Sequence, residues 1–105
     1  MELKAIDELM IELNLNKLDV IKCDTEGSEL EVLKGAYNTI KKYKPLLMIE
    51  IDPKNEGLNV WYRLGYSPYY IDNFKLVSSE VALNRSSLVI LLHDDKKYLY
   101  EKYLF

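Results

Sequence analysis

The segment Leu46–Ile51 constrains this chain more than any other. It reads Leu-Leu-Met-Ile-Glu-Ile directly after Pro45, with Glu50 its only charge. Apolar sequence without period-two alternation marks a strand covered on both faces, the habit of parallel sheets flanked by helices. Ser87–Leu92 has the same character. A chain with two such strands must supply other elements to cover them. The first candidate is Glu2–Leu13, where Leu3, Ile6, Met10 and Leu13, widened by Leu9, recur at helical spacing. Asn14–Lys17 then breaks the period, and Leu18–Cys23 reads as a short strand centred on Val20 and Ile21.

A second helix is expected to start at Ser28, which stands three residues before Glu31 in capping-box spacing, with Gly27 permitting a sharp turn. Its apolar stripe is Leu30, Leu33, Tyr37 and Ile40. Gly35 lies inside it and predicts a kink or a close packing contact, and Pro45 ends the segment. Asp52–Gly57 is a loop by composition, and Leu58–Leu64 a short helix closed by Gly65. Tyr66–Ile71 and Phe74–Val77 flank Asp72-Asn73 as a hairpin, with Pro68 pushing the first arm toward an edge. Ser78–Ser86 is an irregular connection, and Asp94–Phe105 a short helix or frayed end. Alternation of this kind predicts an α/β layered fold, its sheet mostly parallel with a C-terminal hairpin-like part.

At 105 residues the chain is one domain, and its net charge of −3 lacks the basic footprint of a nucleic-acid binder. The apolar runs are too short to span a bilayer, and Met-Glu-Leu-Lys carries no apolar signal region. The lone Cys23 excludes an internal disulfide and suits a reducing compartment. A cytoplasmic protein without membrane or nucleic-acid partners is therefore expected. The four glycines, at positions 27, 35, 57 and 65, form no Gly-x-Gly-x-x-Gly loop or phosphate cradle.

Chemistry is expected at the carboxyl ends of the strands, where open parallel sheets bind ligands. Asp24 follows the first strand, Glu50 and Asp52 end the second, and Glu26 joins from the loop. On adjacent strands about 4.8 Å apart these carboxylates would converge on one rim. There they could hold a divalent cation or act as general base to a substrate hydroxyl. The bland alternative is that Glu26 favours a helix N-terminus and Asp52 shapes a turn before Pro53. Cys23 reads as packed core, and His93, beside Asp94 and Asp95, as a solvated loop histidine. Trp61, Tyr62, Tyr66, Tyr69 and Tyr70 read as aromatic core or a dimer contact ahead of a stacking surface, and Lys41–Lys44 as a solvated helix end.

One stretch is more specific than its parts. Leu18-Asp19-Val20-Ile21-Lys22-Cys23-Asp24-Thr25-Glu26-Gly27, then Leu33-Lys34-Gly35-Ala36, then Lys44-Pro45 leading into Leu46–Ile51, resembles the FkbM-type methyltransferases. Cys23 replaces the family's usual Ile and Thr25 its usual Val. The resemblance spans about 85 residues and is strongest over 18–51. It implies S-adenosylmethionine as methyl donor and a hydroxyl of a sugar or natural product as acceptor. It also implies a Rossmann-like half-sheet, Leu18–Cys23 and Leu46–Ile51 being the fourth and fifth of the seven strands of a class I methyltransferase fold. Asp24, Glu26 and Glu50 are then the catalytic candidates, lining the cleft where a hydroxyl is oriented or deprotonated, and no metal is assigned.

The strands and glycine-rich donor loop that precede this part of the family are not recognisable here. The expectation is therefore a single truncated methyltransferase-like domain over 1–105, inactive alone and binding no S-adenosylmethionine by itself. A homodimer or a partner chain is expected at the exposed strand 18–23. The alternatives are a non-catalytic dimerising or binding module and a small metal-dependent hydrolase.

Overall fold

The computed structural model describes residues 5–23, 27–72, 75–80 and 88–104. Helix α1 (Ile6–Glu12) leads into strand β1 (Val20–Cys23), followed by helices α2 (Glu29–Lys34) and α3 (Tyr37–Tyr43). Strand β2 (Leu46–Ile49), a 3₁₀ turn (Glu56–Leu58) and helix α4 (Asn59–Arg63) come next. Strands β3 (Tyr66–Asp72), β4 (Lys75–Ser78) and β5 (Val89–His93) precede a 3₁₀ tail, Asp94–Tyr103. Asn73, Phe74 and most of the Ser78–Ser86 connection lie outside the described residues.

The sheet runs β1-β2-β5-β3-β4. β1 and β2 are parallel, Val20 facing Leu46 and Cys23 facing Ile49. The other three described pairings are antiparallel, so the expectation of a mostly parallel sheet is corrected. The reason lies in β5. All five of its residues are buried, and burial on both faces produces the same apolar run whichever way a strand points. One face carries Ile21, Cys23, Leu47, Ile49, Val89, Leu91, Tyr66 and Tyr70, packed with Leu33, Ala36 and Ile40 from the helices and with Leu58 and Trp61. On the other face Leu76, Ile90 and Leu92 pack with Tyr100 and Leu104 of the tail.

β3 is not the edge that Pro68 suggested, because β4 pairs outside it. The Pro68 carbonyl accepts the Ser79 N–H at 3.1 Å, one residue beyond β4. The N and C=O of a strand residue face the same neighbour, so the missing N–H falls where β4 has ended, and the β5 ladder loses nothing.

The expected single helix over 28–44 is two. The chain breaks at Gly35 and Ala36, and α3 begins afresh at Tyr37. A Cβ on Gly35 would stand 3.1 Å from the Ala5 Cβ, so glycine lets α1 approach closely. The Gly35 carbonyl accepts the Asp7 N–H at 3.0 Å. In return the Asp7 carboxylate caps α3 from another helix, accepting the N–H groups of Asn38 (3.0 Å) and Thr39 (2.8 Å) and the Thr39 hydroxyl (2.6 Å). The predicted Ser28 capping box is absent: Ser28 makes no side-chain cap. Instead the buried Glu29 carboxylate accepts the Gly27 N–H at 2.9 Å.

Asp7→Ala should therefore lower stability by about 2 kcal/mol, since it uncaps α3 and orphans a buried hydroxyl. Asp7→Asn, which keeps one accepting oxygen, should lose less. Urea unfolding measures both, and an unchanged midpoint for the alanine variant would contradict the cap.

Candidate functional site

A cavity of about 660 Å³ opens beside the carboxyl end of β2. Glu50 follows the last residue of that strand and is exposed at the cavity wall. The next residues build a tight loop. The Asp52 carboxylate accepts the Lys54 N–H at 2.8 Å, and its carbonyl accepts the Asn55 N–H at 2.9 Å. Asp52 is thus a turn former, as the bland reading had it, although its charge still faces the cleft. The Asn55 side chain caps the following 3₁₀ turn by accepting the Gly57 N–H at 2.8 Å. Tyr62 of α4 ties the loop down by donating its hydroxyl hydrogen to the Pro53 carbonyl. Burial, and after it the negative charge of Asp52 and the neighbouring Tyr70, push the Tyr62 hydroxyl up to about 12.

The far wall comes from β3, where Pro68 and Tyr70 share the helix-covered face by strand alternation, and from Ser79 and Glu80 after β4. Tyr70 is 5 % exposed. Among the described residues its hydroxyl has no hydrogen-bond partner, and no fully enclosed side-chain nitrogen or oxygen lacks one. The Tyr70 oxygen therefore reaches the open volume of the cleft. It is held in place by its ring and left chemically free.

Of the residues singled out in the sequence, Glu50 lines this cavity, and Asp24 and Glu26 lie outside the described residues. β1 and β2 end together, Cys23 facing Ile49, so Cys23 and Glu50 stand at the same end of the sheet. Among the described residues no group of three His, Cys, Asp or Glu is placed to hold a metal ion. Cys23 is buried core, as expected. Trp61, Tyr66 and Tyr70 are aromatic core, although Tyr70 and the half-buried Tyr62 also line the cleft. Glu80 and Ser79 were missed. Only the β4 register brings them here, and nothing in the local sequence signals it.

His93 corrects an expectation: it is buried, 7 % exposed, at the last position of β5. Its Nδ1 accepts the Asp95 N–H at 3.0 Å, which leaves Nε2 to donate to the Leu64 carbonyl 2.7 Å away. The ring meets Tyr66 edge-on at 5.1 Å. Gly65, at φ +109°, is required beside it, because a Cβ there would lie 2.8 Å from Nε2. The Tyr66 hydroxyl, raised by burial, donates to the Pro45 carbonyl at 2.6 Å. This far end of the sheet is internally satisfied. Outside it, Lys44 pairs with Asp95 and holds that carboxylate below its usual range.

A concave cleft with apolar wall and a few polar groups at the carboxyl end of β2 has the make-up of a small-ligand site. The family model described as methyltransferase FkbM domain matches residues 1–83, and the chain belongs to that family. No curated protein and no solved structure matches the chain. The family generally uses S-adenosylmethionine. No glycine lines this cleft: Leu30 packs against Gly57, His93 fills the space at Gly65, and Gly27 stands at an exposed turn. The described residues that line this cleft make no nucleoside cradle. No helix among the described residues is long and apolar enough to cross a membrane.

The two buried tyrosines should separate cleanly. Tyr66→Phe orphans the buried Pro45 carbonyl and should cost about 1–3 kcal/mol. Tyr70→Phe removes a hydroxyl with no internal partner and should stay within about 0.5 kcal/mol. Thermal unfolding of both variants checks this, and equal losses would contradict the assignment.

Proposed function

We propose that this chain forms the acceptor side of an S-adenosylmethionine-dependent O-methyltransferase. In this reading β1 and β2 correspond to the fourth and fifth strands of the family's Rossmann-like sheet. The carrying observation is the cleft of about 660 Å³ at the carboxyl end of β2, with Glu50 on its wall. Glu50 accepts the hydrogen of a substrate hydroxyl and orients or deprotonates it. The Tyr70 hydroxyl fixes a second polar group of the same substrate. Asp24 and Glu26, on the segment after β1, complete the carboxylate set. The methyl donor is held by chain outside these 105 residues, in the same polypeptide or another.

Calorimetric titration of the 105-residue chain with S-adenosylhomocysteine should show no binding, and a longer or reconstituted form carrying the donor part should bind it. In that assembled enzyme Glu50→Gln should slow methyl transfer by about 10²-fold, the usual contribution of a positioned general base. Micromolar binding by the chain alone, or full activity of the glutamine variant, would sink this assignment.

The same reading calls for a partner at β1. That strand is the edge of the described sheet, Val20 on it is 46 % exposed, and Leu13 and Leu15 just before it are exposed too. An unpaired edge with apolar neighbours recruits another strand. Light scattering should find the isolated chain dimeric, with Val20→Lys shifting it toward monomer. A monodisperse monomer at high concentration would count against the edge.

A further inference from the structure

Three carboxylates, Glu50, Asp52 and Glu80, line the cleft, and among the described residues Lys54 is the one cation lining it. Two negative charges remain in excess. Tyr70 lines the same cleft; the residue is 5 % exposed, hence fixed before any ligand arrives, and its hydroxyl has no hydrogen-bond partner among the described residues. Pro53, Pro68 and the Tyr62 ring supply apolar wall. A site of this kind offers hydrogen-bond acceptors on several sides, one preorganised hydroxyl, apolar surface for C–H faces, and a field that repels anions. We propose that the cleft selects a small polyhydroxylated ligand carrying a protonated amine, of the amino-sugar kind, over its neutral and anionic counterparts.

The inference rests on the acceptor-side reading above and narrows it from hydroxyl-bearing molecules to cationic ones. The hydroxyls engage Tyr70 and Glu50, and the ammonium sits toward Glu80 and Asp52. Asp52 has already given one oxygen to the Lys54 N–H, 2.8 Å away. Asp52 stays among the residues lining the cleft. The volume of about 660 Å³ suits one or two sugar rings, well inside the usual range of ligand pockets. The carboxylates are exposed, so discrimination is moderate and screened by salt.

The test is amide chemical-shift titration of the 105-residue chain with glucosamine, glucose and glucuronate at low ionic strength. The expected result is saturable shifts at Lys54, Ser79 and Glu80, with glucosamine bound about fivefold more tightly than glucose and glucuronate not bound. Glu80→Gln should roughly halve that preference, and added salt should erode it. Tyr70→Phe should weaken glucosamine and glucose alike and leave their ratio unchanged. Equal affinities for glucosamine and glucose overturn the charge selection, as does tighter binding of glucuronate, while leaving the acceptor-side reading in place. That reading falls by a different result, full methyl transfer by Glu50→Gln. Absence of shifts with all three sugars overturns the proposal outright.

Discussion

The fold depends on one strand. β5 is hydrogen-bonded to β2 on one side and β3 on the other, and among the described residues no other ladder joins the parallel pair to the hairpin. Its five residues are buried from both faces, which no short strand achieves unless two further layers exist. The helices supply one layer. The tail supplies the other, with Leu104 bridging to Leu76 beside the buried Ile90 and Leu92. The middle of the sheet is thus filled by the strand that comes last in the sequence. Contacts of such sequence separation cost chain entropy before they return packing energy.

The helical layer is tied together by polar contacts as much as by apolar ones. Asp7 donates its N–H to the Gly35 carbonyl and accepts the Asn38 and Thr39 N–H groups, tying α1 to the α2–α3 break, where Gly35 leaves room for Ala5. A continuous helix through position 35 would keep one more turn of backbone bonding. It would also carry the Asn38 and Thr39 N–H groups away from the Asp7 carboxylate. The trade favours two short helices, since a charged acceptor on three donors outweighs a neutral turn.

This explains what the sequence could and could not disclose. Element identity was legible wherever period and punctuation agreed: the apolar runs became β2 and β5, Gly65 closed α4 at φ +109°, and the β3–β4 hairpin formed, although Asp72, read as turn, is strand and pairs with Lys75. At Gly35 a kink or a close packing contact was legible, but not that the contact would be Ala5, thirty residues upstream, nor that the helix would break in two. Strand direction was not legible, since burial on both faces erases the alternation that separates antiparallel from parallel strands. His93 was misplaced for a related reason. Flanking Asp94 and Asp95 look like a solvated loop, but the strand carries the ring inward to Leu64. At the site, Glu50 was legible from its position after an apolar run. Glu80 and the partnerless Tyr70 hydroxyl were not, because both depend on β3–β4 register.

The two ends of the sheet then differ in a way that locates function. Around His93 each polar group described has found an internal partner: Tyr66 on Pro45, His93 on Leu64 and Asp95, Asp95 on Lys44. Such satisfaction stabilises and specifies a core, and it leaves nothing for a ligand to do. Around Glu50 the backbone is equally well secured, by the Asp52 turn, the Asn55 cap and the Tyr62 tether. Of the side chains that line the cavity, the Asp52 carboxylate and the Tyr62 hydroxyl serve that frame, while the Tyr70 hydroxyl has no hydrogen-bond partner among the described residues. Burying the ring of Tyr70 while leaving its hydroxyl open forgoes a hydrogen bond the fold makes readily elsewhere, for Tyr66 four residues earlier on the same strand face. A rigid frame presenting unspent polar groups is the arrangement expected of a binding site, because the ordering cost is met before the ligand arrives.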